Sequence, residues 1–135
     1  MPHQNFRASE YAAAGVSARW LDEPRARNAY AYGLQFSSSK RYGLSEATVR
    51  SVERLVIESY SVADAWMRDR IHAEGTVQVV YGEAEVAVLA AADFLAKWRE
   101  IFVPGRDDAI VLHNLSSTVL FYSHQDELEV GVREA

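Results

Sequence analysis

Hydrophobic and polar positions recur along most of the chain with the spacing of regular secondary structure. The clearest helical pattern follows Ser45, which we predict to be an N-cap because its hydroxyl can accept a hydrogen bond from a free backbone amide. Apolar residues then recur every three or four positions as far as Met67, and Gly75 follows as a stop signal. We therefore predict one long amphipathic helix, or two helices with a break near residues 59–61.

Alternating or short continuous apolar runs predict six strands elsewhere. For residues 83–101 a single helix is the alternative, since alanine is the best helix former; we favour a strand and then a helix from about Ala92. That helix has an apolar face that includes Phe94 and Trp98, and it ends before Pro104. The last strand is expected to expose one face. The predicted strands are residues 30–36, 77–81, 85–90, 110–113, 118–122 and 128–132.

These elements predict an α+β fold, with an antiparallel sheet of about five to six strands packed against two or three helices. The 135 residues, 49 % of them hydrophobic and 24 % charged, suit a single domain over residues 1–135. Ser9 can cap a short helix that ends at Gly15, but we interpret residues 1–15 as a partly ordered tail. Trp20 is expected to anchor the next segment on the core.

Composition excludes several classes of protein. The sequence has no cysteine, which excludes disulfides, thiolate zinc sites and thiol catalysis. It has no run of about 18 apolar residues, so no membrane-spanning helix is expected. Its first residues lack the basic and apolar regions of a secretory signal. We therefore expect a cytoplasmic protein that does not act at a membrane.

The net charge of −5 is unevenly distributed. From Glu83 onward there are ten acidic and four basic residues, which leaves about −6 on this part of the chain. Such a surface repels phosphate backbones, so a nucleic-acid partner is not expected, whereas a basic protein would be attracted. The alternative is that these acidic residues only keep the protein soluble.

Two polar segments have the residue types of a binding or catalytic site. Asp107 and Asp108 follow Arg106, and adjacent carboxylates can bind a metal or share acid–base chemistry. We favour a structural turn, because neighbouring side chains on a strand point to opposite faces and Arg106 can pair with a carboxylate. Residues 37–40, SSSK, have the hydroxyls and the cation of a phosphate site, but they lack the glycine spacing of a P-loop. We interpret them as a loop.

Histidines offer a weaker signal. His113, His124 and Asp126 would form a metal site if a hairpin brought them together, but no close ligand spacing supports it. Ser116, Ser117 and Ser123 lack the sequence context of a nucleophile elbow. We therefore predict no catalytic residue, no metal and no cofactor.

The last third of the chain resembles a known class of proteins. Residues 98–108 have the order W-x3-F-x-P-x-RDD, and residues 120–131 read LFYSHQDELEVG after an apolar strand. This order resembles small bacterial immunity proteins, which neutralise the cognate toxin of a contact-dependent or other polymorphic toxin system. The resemblance implies a cytoplasmic protein without catalytic activity that binds one toxin tightly.

Three functional hypotheses follow. The first is an immunity protein that neutralises a toxin with a basic surface through an acidic surface of its own. The second is a small enzyme or ligand-binding domain whose interior pocket is lined by Trp98, Tyr81, His113 or Asp108. The third is a homodimer formed through an edge strand at residues 128–132. For the first hypothesis, the predicted partner-binding residues, displayed outward, are Tyr122, Asp126, Glu127, Glu129, Asp107 and Asp108.

Overall fold

A computed structural model describes residues 6–133 as four helices and a seven-stranded sheet, which confirms the α+β class with one strand and one helix more than the predicted ranges. The longest helix has 12 residues, and no helix in this range combines the length and apolar character needed to cross a bilayer. The helices are α1 (Phe6–Ala13), α2 (Glu23–Leu34), α3 (Tyr60–Arg70) and α4 (Ala91–Ile101). The strands are β1 (Arg19–Trp20), β2 (Val49–Val56), β3 (Thr76–Gly82), β4 (Glu85–Ala90), β5 (Ala109–His113), β6 (Thr118–Ser123) and β7 (Glu127–Arg133).

Every strand pair in the sheet is antiparallel, and the order is β1-β4-β3-β5-β6-β7-β2. The predicted hairpin of β3 with β4 and that of β5 with β6 are both present. The edges are β1 and β2, so the prediction that residues 128–132 form an edge strand with one exposed face was wrong. Strand β7 lies between β6 and β2 because residues 49–56 pair with it. A homodimer stays a prediction.

The sheet separates two apolar cores, which gives the domain three layers. On one face, α1, α3 and α4 pack against the sheet through buried side chains such as Tyr11, Met67 and Trp98. On the other face, α2 and the segment that follows it cover Val80, Ile110 and their neighbours. The predicted face of α4 is buried as expected, and Pro104 follows its end. The second face holds the candidate site.

The strand predicted at residues 30–36 was wrong, since α2 runs through most of it. The Asp22 carboxylate accepts a hydrogen bond from the Arg25 backbone amide at 3.1 Å, and Pro24 stands in the first turn, where its missing donor costs nothing. Alanines and arginines along residues 25–31 also favour a helix. The alternation of aromatic residues there does not reflect burial, because Tyr32 and Leu34 are both exposed.

The first half of the long helix predicted from Ser45 was also wrong, because residues 49–56 form β2. A bulge explains the misleading pattern. Ser51 has a φ of 57°, and the pairing with β7 shifts between Arg50 and Glu53. The extra residue places Val49 and Val52 in the same core although they stand three apart, which is the spacing of a helix. The break near residues 59–61 was correct, since Ser59 caps α3.

Residues 6–13 form α1, where a partly ordered tail was preferred, and residues 1–5 lie outside the described range. Tyr11 explains the helix: its ring is 1 % exposed and packs edge-on against Trp20 with the ring centroids 5.0 Å apart. Trp20 also stacks on Tyr81, so it anchors its segment as predicted. The burial of these aromatic rings stabilises the short helix, which would be marginal alone.

Candidate functional site

A half-open pocket of about 470 Å³ lies on the second face of the sheet. Its floor is formed by Val80, Ile110 and Phe121, which are neighbours across β3, β5 and β6. Helix α2 and the segment 37–42 form its walls, and Asp108 stands among its lining residues. A pocket of this volume is in the range that small ligands occupy.

Helix α2 reaches the floor closely because of Gly33. A Cβ atom at this position would lie 3.7 Å from Ile110 Cγ2 and 3.8 Å from Val80 Cγ2, which is already van der Waals contact. A longer side chain would therefore enter the pocket or push the helix outward. The half-buried Tyr30 and the exposed Leu34 flank this glycine and line the same pocket.

The opposite wall is held by an ion pair. Arg41 binds Glu129 of β7 with two guanidinium nitrogens, and it also donates to the Leu44 carbonyl oxygen at 3.0 Å. Glu129 accepts from the Leu44 backbone amide at 2.9 Å. Gly43 leaves the space that this pair occupies, since a Cβ there would be 2.6 Å from Glu129 Oε2. The segment 37–44 is thereby tied to the sheet.

Asp108 and His124 form a second polar contact beside the pocket. One oxygen of Asp108 accepts from the His124 backbone amide and lies 2.9 Å from the His124 Nδ1 atom. The Tyr42 ring meets the His124 imidazole edge-on, with centroids 4.6 Å apart. Three segments distant in sequence therefore meet at the pocket.

The outward display predicted for several carboxylates was wrong. Asp107 is fully buried: its oxygens accept from Arg7 at 3.0 Å, from Arg106 at 2.8 Å and from the Val103 backbone amide at 2.8 Å. Burial alone raises the pKa of Asp107, but hydrogen bonds from Arg106, Val103 and Arg7 outweigh it and hold the pKa below its ordinary value. Asp107 is thus an internal anchor for α1.

The acidic residues of β7 are engaged in a similar way. Glu129 is 3 % exposed and binds Arg41, whereas Glu127 is half-buried and binds Arg54 of β2 at 2.5 Å. Both pairs form because β2 and the segment before it, which sequence reasoning assigned to a helix and a loop, lie beside β7. Of the six predicted partner residues, Asp108 is the one that lines the pocket.

Tyr122 is buried, so it does not face solvent as predicted. Its ring stacks on Phe102 with centroids 4.5 Å apart, and its hydroxyl donates to Asp126 at 2.8 Å. Asp126 stands in the β6–β7 turn with a φ of 60°. Burial raises the pKa of Tyr122, and the Asp126 carboxylate raises it further.

Replacing Tyr122 with phenylalanine should lower the free energy of unfolding by about 1 kcal/mol, because the Asp126 carboxylate loses its donor. Urea denaturation at neutral pH measures the change. Tyr42→Phe is the matched control, since Tyr42 is 56 % exposed and should leave stability unchanged. Equal stability of both variants would show that the hydroxyl does not hold the turn.

The two histidines do not meet. His113 is buried, and its Nε2 atom donates to the His72 carbonyl oxygen at 2.9 Å while its Nδ1 atom accepts from the Leu115 amide at 3.0 Å. His124 is at the pocket. Within residues 6–133, no group of three or more histidine, aspartate or glutamate side chains is arranged to hold a metal ion.

Sequence reasoning missed most of the residues around the pocket. Leu34 and Tyr42 are 51 % and 56 % exposed there, although large apolar side chains are usually buried. The segment 37–43 was interpreted as a loop, which is correct, but its place over the sheet was not predicted. The one available signal was its serines and basic residues beside the aromatic Tyr42.

Family models, curated proteins and solved structures were all compared with the chain, and none matches it. The immunity-protein resemblance is therefore supported by the residues quoted for it and by no relative. A function has to follow from the geometry of the described residues.

Proposed function

We propose that the protein is a binding protein without catalytic activity that neutralises a cognate bacterial toxin in the cytoplasm. The observation that supports this proposal is the pocket of about 470 Å³ flanked by the exposed side chains of Leu34 and Tyr42. Exposed tyrosine and apolar side chains around a hollow suit the anchoring contacts of protein interfaces. The proposed interface is therefore the pocket face, formed by α2, segment 37–42 and the floor of the pocket.

The acidic residues of β7 and Asp107 have a different role in this proposal from the one the sequence suggested. Internal ion pairs occupy Glu127, Glu129 and Asp107, so these side chains do not contact the toxin. The net charge of −5 is unaffected by internal pairing and still attracts a basic partner over long range. Charge thus accelerates association, while the pocket face supplies the contacts.

Tyr42→Ala should weaken toxin binding at least about tenfold, because a central aromatic anchor typically contributes this much. The partners to test are toxin domains taken from the neighbouring genes, in a catalytically inactive form, with Kd measured by titration calorimetry. Leu115→Ala is the matched control: Leu115 is 62 % exposed in the β5–β6 turn and does not line the pocket.

The same pair of variants should differ in a growth assay. Co-expression of the protein should protect cells from the active toxin, and Tyr42→Ala should protect less than Leu115→Ala. Absence of binding and of protection by the unchanged protein would refute the proposed function. Binding that is equally tight for both variants would refute the pocket face as the interface.

A second function is favoured by the contact of His124 with Asp108. A histidine oriented by a carboxylate is the arrangement of many general bases, which suits a small enzyme or a ligand-binding domain. Within the described part of the chain, no side-chain hydroxyl is hydrogen-bonded to the His124 Nε2 atom. Of the four residues that this hypothesis placed in a pocket, Tyr81 and Asp108 line the pocket, whereas Trp98 and His113 are buried away from it.

A further inference from the structure

The carboxylate of Asp108 is held in place through one of its two oxygens, and the other oxygen can still accept a hydrogen bond. Its Oδ1 atom accepts from the His124 backbone amide and lies 2.9 Å from the imidazole Nδ1 atom. Its Oδ2 atom has no hydrogen-bond partner among residues 6–133, and the side chain is 38 % exposed. The carboxylate is thus oriented by its neighbour and still able to accept a donor from outside.

The pocket beside this carboxylate is apolar below and aromatic at its sides. Val80, Ile110 and Phe121 line its floor and are each 6 % exposed. Tyr30 and Tyr42 supply aromatic rings to the lining. An apolar stem that ends in a cation fits such a site, since its methylene groups cover the floor while the charge meets the carboxylate and the rings.

We propose that the pocket binds a basic side chain of the partner, with arginine preferred over lysine. This inference rests on the proposed function, because it names the group that the toxin inserts. The stem lies on Val80, Ile110 and Phe121, and the guanidinium donates to Asp108 Oδ2. Arginine is preferred because a planar guanidinium both stacks on tyrosine and forms directed hydrogen bonds to a carboxylate.

Two basic residues also line the pocket, and their positive charges would repel a basic side chain unless they are neutralised or point away. The charge of Arg41 is already matched by Glu129, which binds two of its nitrogens. Lys40 is exposed on the same segment, where its flexible side chain can turn into solvent. The charge that is held at the pocket and, among the described residues, not matched by an ion pair with an arginine or a lysine is therefore the carboxylate of Asp108. The net charge of −5 favours the approach of a cation as well.

The test uses small probes, so it does not depend on the toxin. Butylguanidinium, butylammonium and butyl phosphate have the same stem and differ in the head group. Each is titrated into the ¹⁵N-labelled protein, and backbone amide shifts are followed by NMR. Butylguanidinium should shift the amides of Val80, Ile110 and Phe121. Asp108→Asn should weaken this binding about fivefold, as expected for one partly exposed charge pair.

Glu46→Gln is the matched control, because Glu46 is exposed, has no ion pair among the described residues and does not line the pocket. It should leave the affinity for butylguanidinium unchanged. The inference is overturned if butylguanidinium leaves the pocket amides unmoved, if Asp108→Asn and Glu46→Gln weaken it equally, or if butyl phosphate binds there and Lys40→Gln abolishes its binding.

The outcome separates this inference from the proposed function. Probe binding that depends on Asp108, together with absence of protection against the toxin, would refute the function and leave the pocket chemistry standing. Protection by the unchanged protein and by Asp108→Asn alike would refute the inserted basic side chain and leave the function standing.

Discussion

Replacing Asp107 with alanine is expected to lower the free energy of unfolding by about 3 kcal/mol. Asp107 is 0 % exposed and accepts hydrogen bonds from two guanidinium groups and one backbone amide. Its removal takes one hydrogen-bond acceptor from the buried Arg7 and one from the Val103 backbone amide. This loss of stability lies at the lower end of the range for a broken buried ion pair, because Arg7 still pairs with Glu85 and Arg106 still pairs with Glu10.

Asp108→Ala is the control for this variant, since it removes the adjacent carboxylate from the same turn. Asp108 is 38 % exposed and, among residues 6–133, binds only His124, so its loss should cost about 1 kcal/mol. Chemical denaturation of the three proteins at neutral pH gives the two differences. Equal losses would show that the buried network around Asp107 contributes no more than a half-exposed hydrogen bond.

The pH dependence of stability offers an independent measurement on the same variant. Because the pKa of Asp107 is lower in the folded protein than its ordinary 3.8, its ionised form stabilises the fold above that value. This contribution is lost as the pH falls through the lowered pKa, when the carboxylate takes up a proton. Asp107→Ala should therefore lose less stability than the unchanged protein as the pH falls below the ordinary pKa of 3.8.

The hairpins of the C-terminal half were predictable from sequence because each strand is short, apolar and bounded by turn residues. Two elements of the N-terminal half were not, and each failed for a local reason. The bulge at Ser51 gave β2 the spacing of a helix. In α2, the burial of Ala26 and Gly33 instead of the aromatic residues hid the helical face. Pairing with β7 decided the first case, and packing of the helix against the sheet decided the second.

The candidate site was less predictable than the fold, because its residues meet through tertiary contacts. Asp108 was singled out from sequence, but its partner His124 stands 16 positions later and was grouped with His113. The burial of Glu129 depends on Arg41, which is 88 positions away. The alternating polar positions of β7 predict from sequence alone that Glu129 is exposed. In the structure, the segment before β2 covers it.

The second large effect on stability is expected when Glu129, which ties this covering segment to the sheet, is replaced. Glu129→Ala should lower the free energy of unfolding by about 2 kcal/mol, because the buried Leu44 amide loses its acceptor at 2.9 Å. Arg41 adds little to this cost, since its side chain is 44 % exposed and can turn into water. The larger consequence is local: segment 37–44 loses its tie to the sheet, and one wall of the pocket becomes mobile.

Hydrogen exchange of the Leu44 amide reports that release directly and should become faster in Glu129→Ala than global unfolding requires. Glu127→Ala is the matched control, because Glu127 lies on the same face of β7 and also binds an arginine, but in a pair whose arginine is 56 % exposed. It should cost less than about 1 kcal/mol and leave Leu44 exchange unchanged. If Glu129→Ala kept Leu44 protected and butylguanidinium bound as before, the wall of the pocket would not depend on this ion pair. If protection and probe binding fell together, Glu129, which the sequence assigned to the partner, would instead shape the site from within.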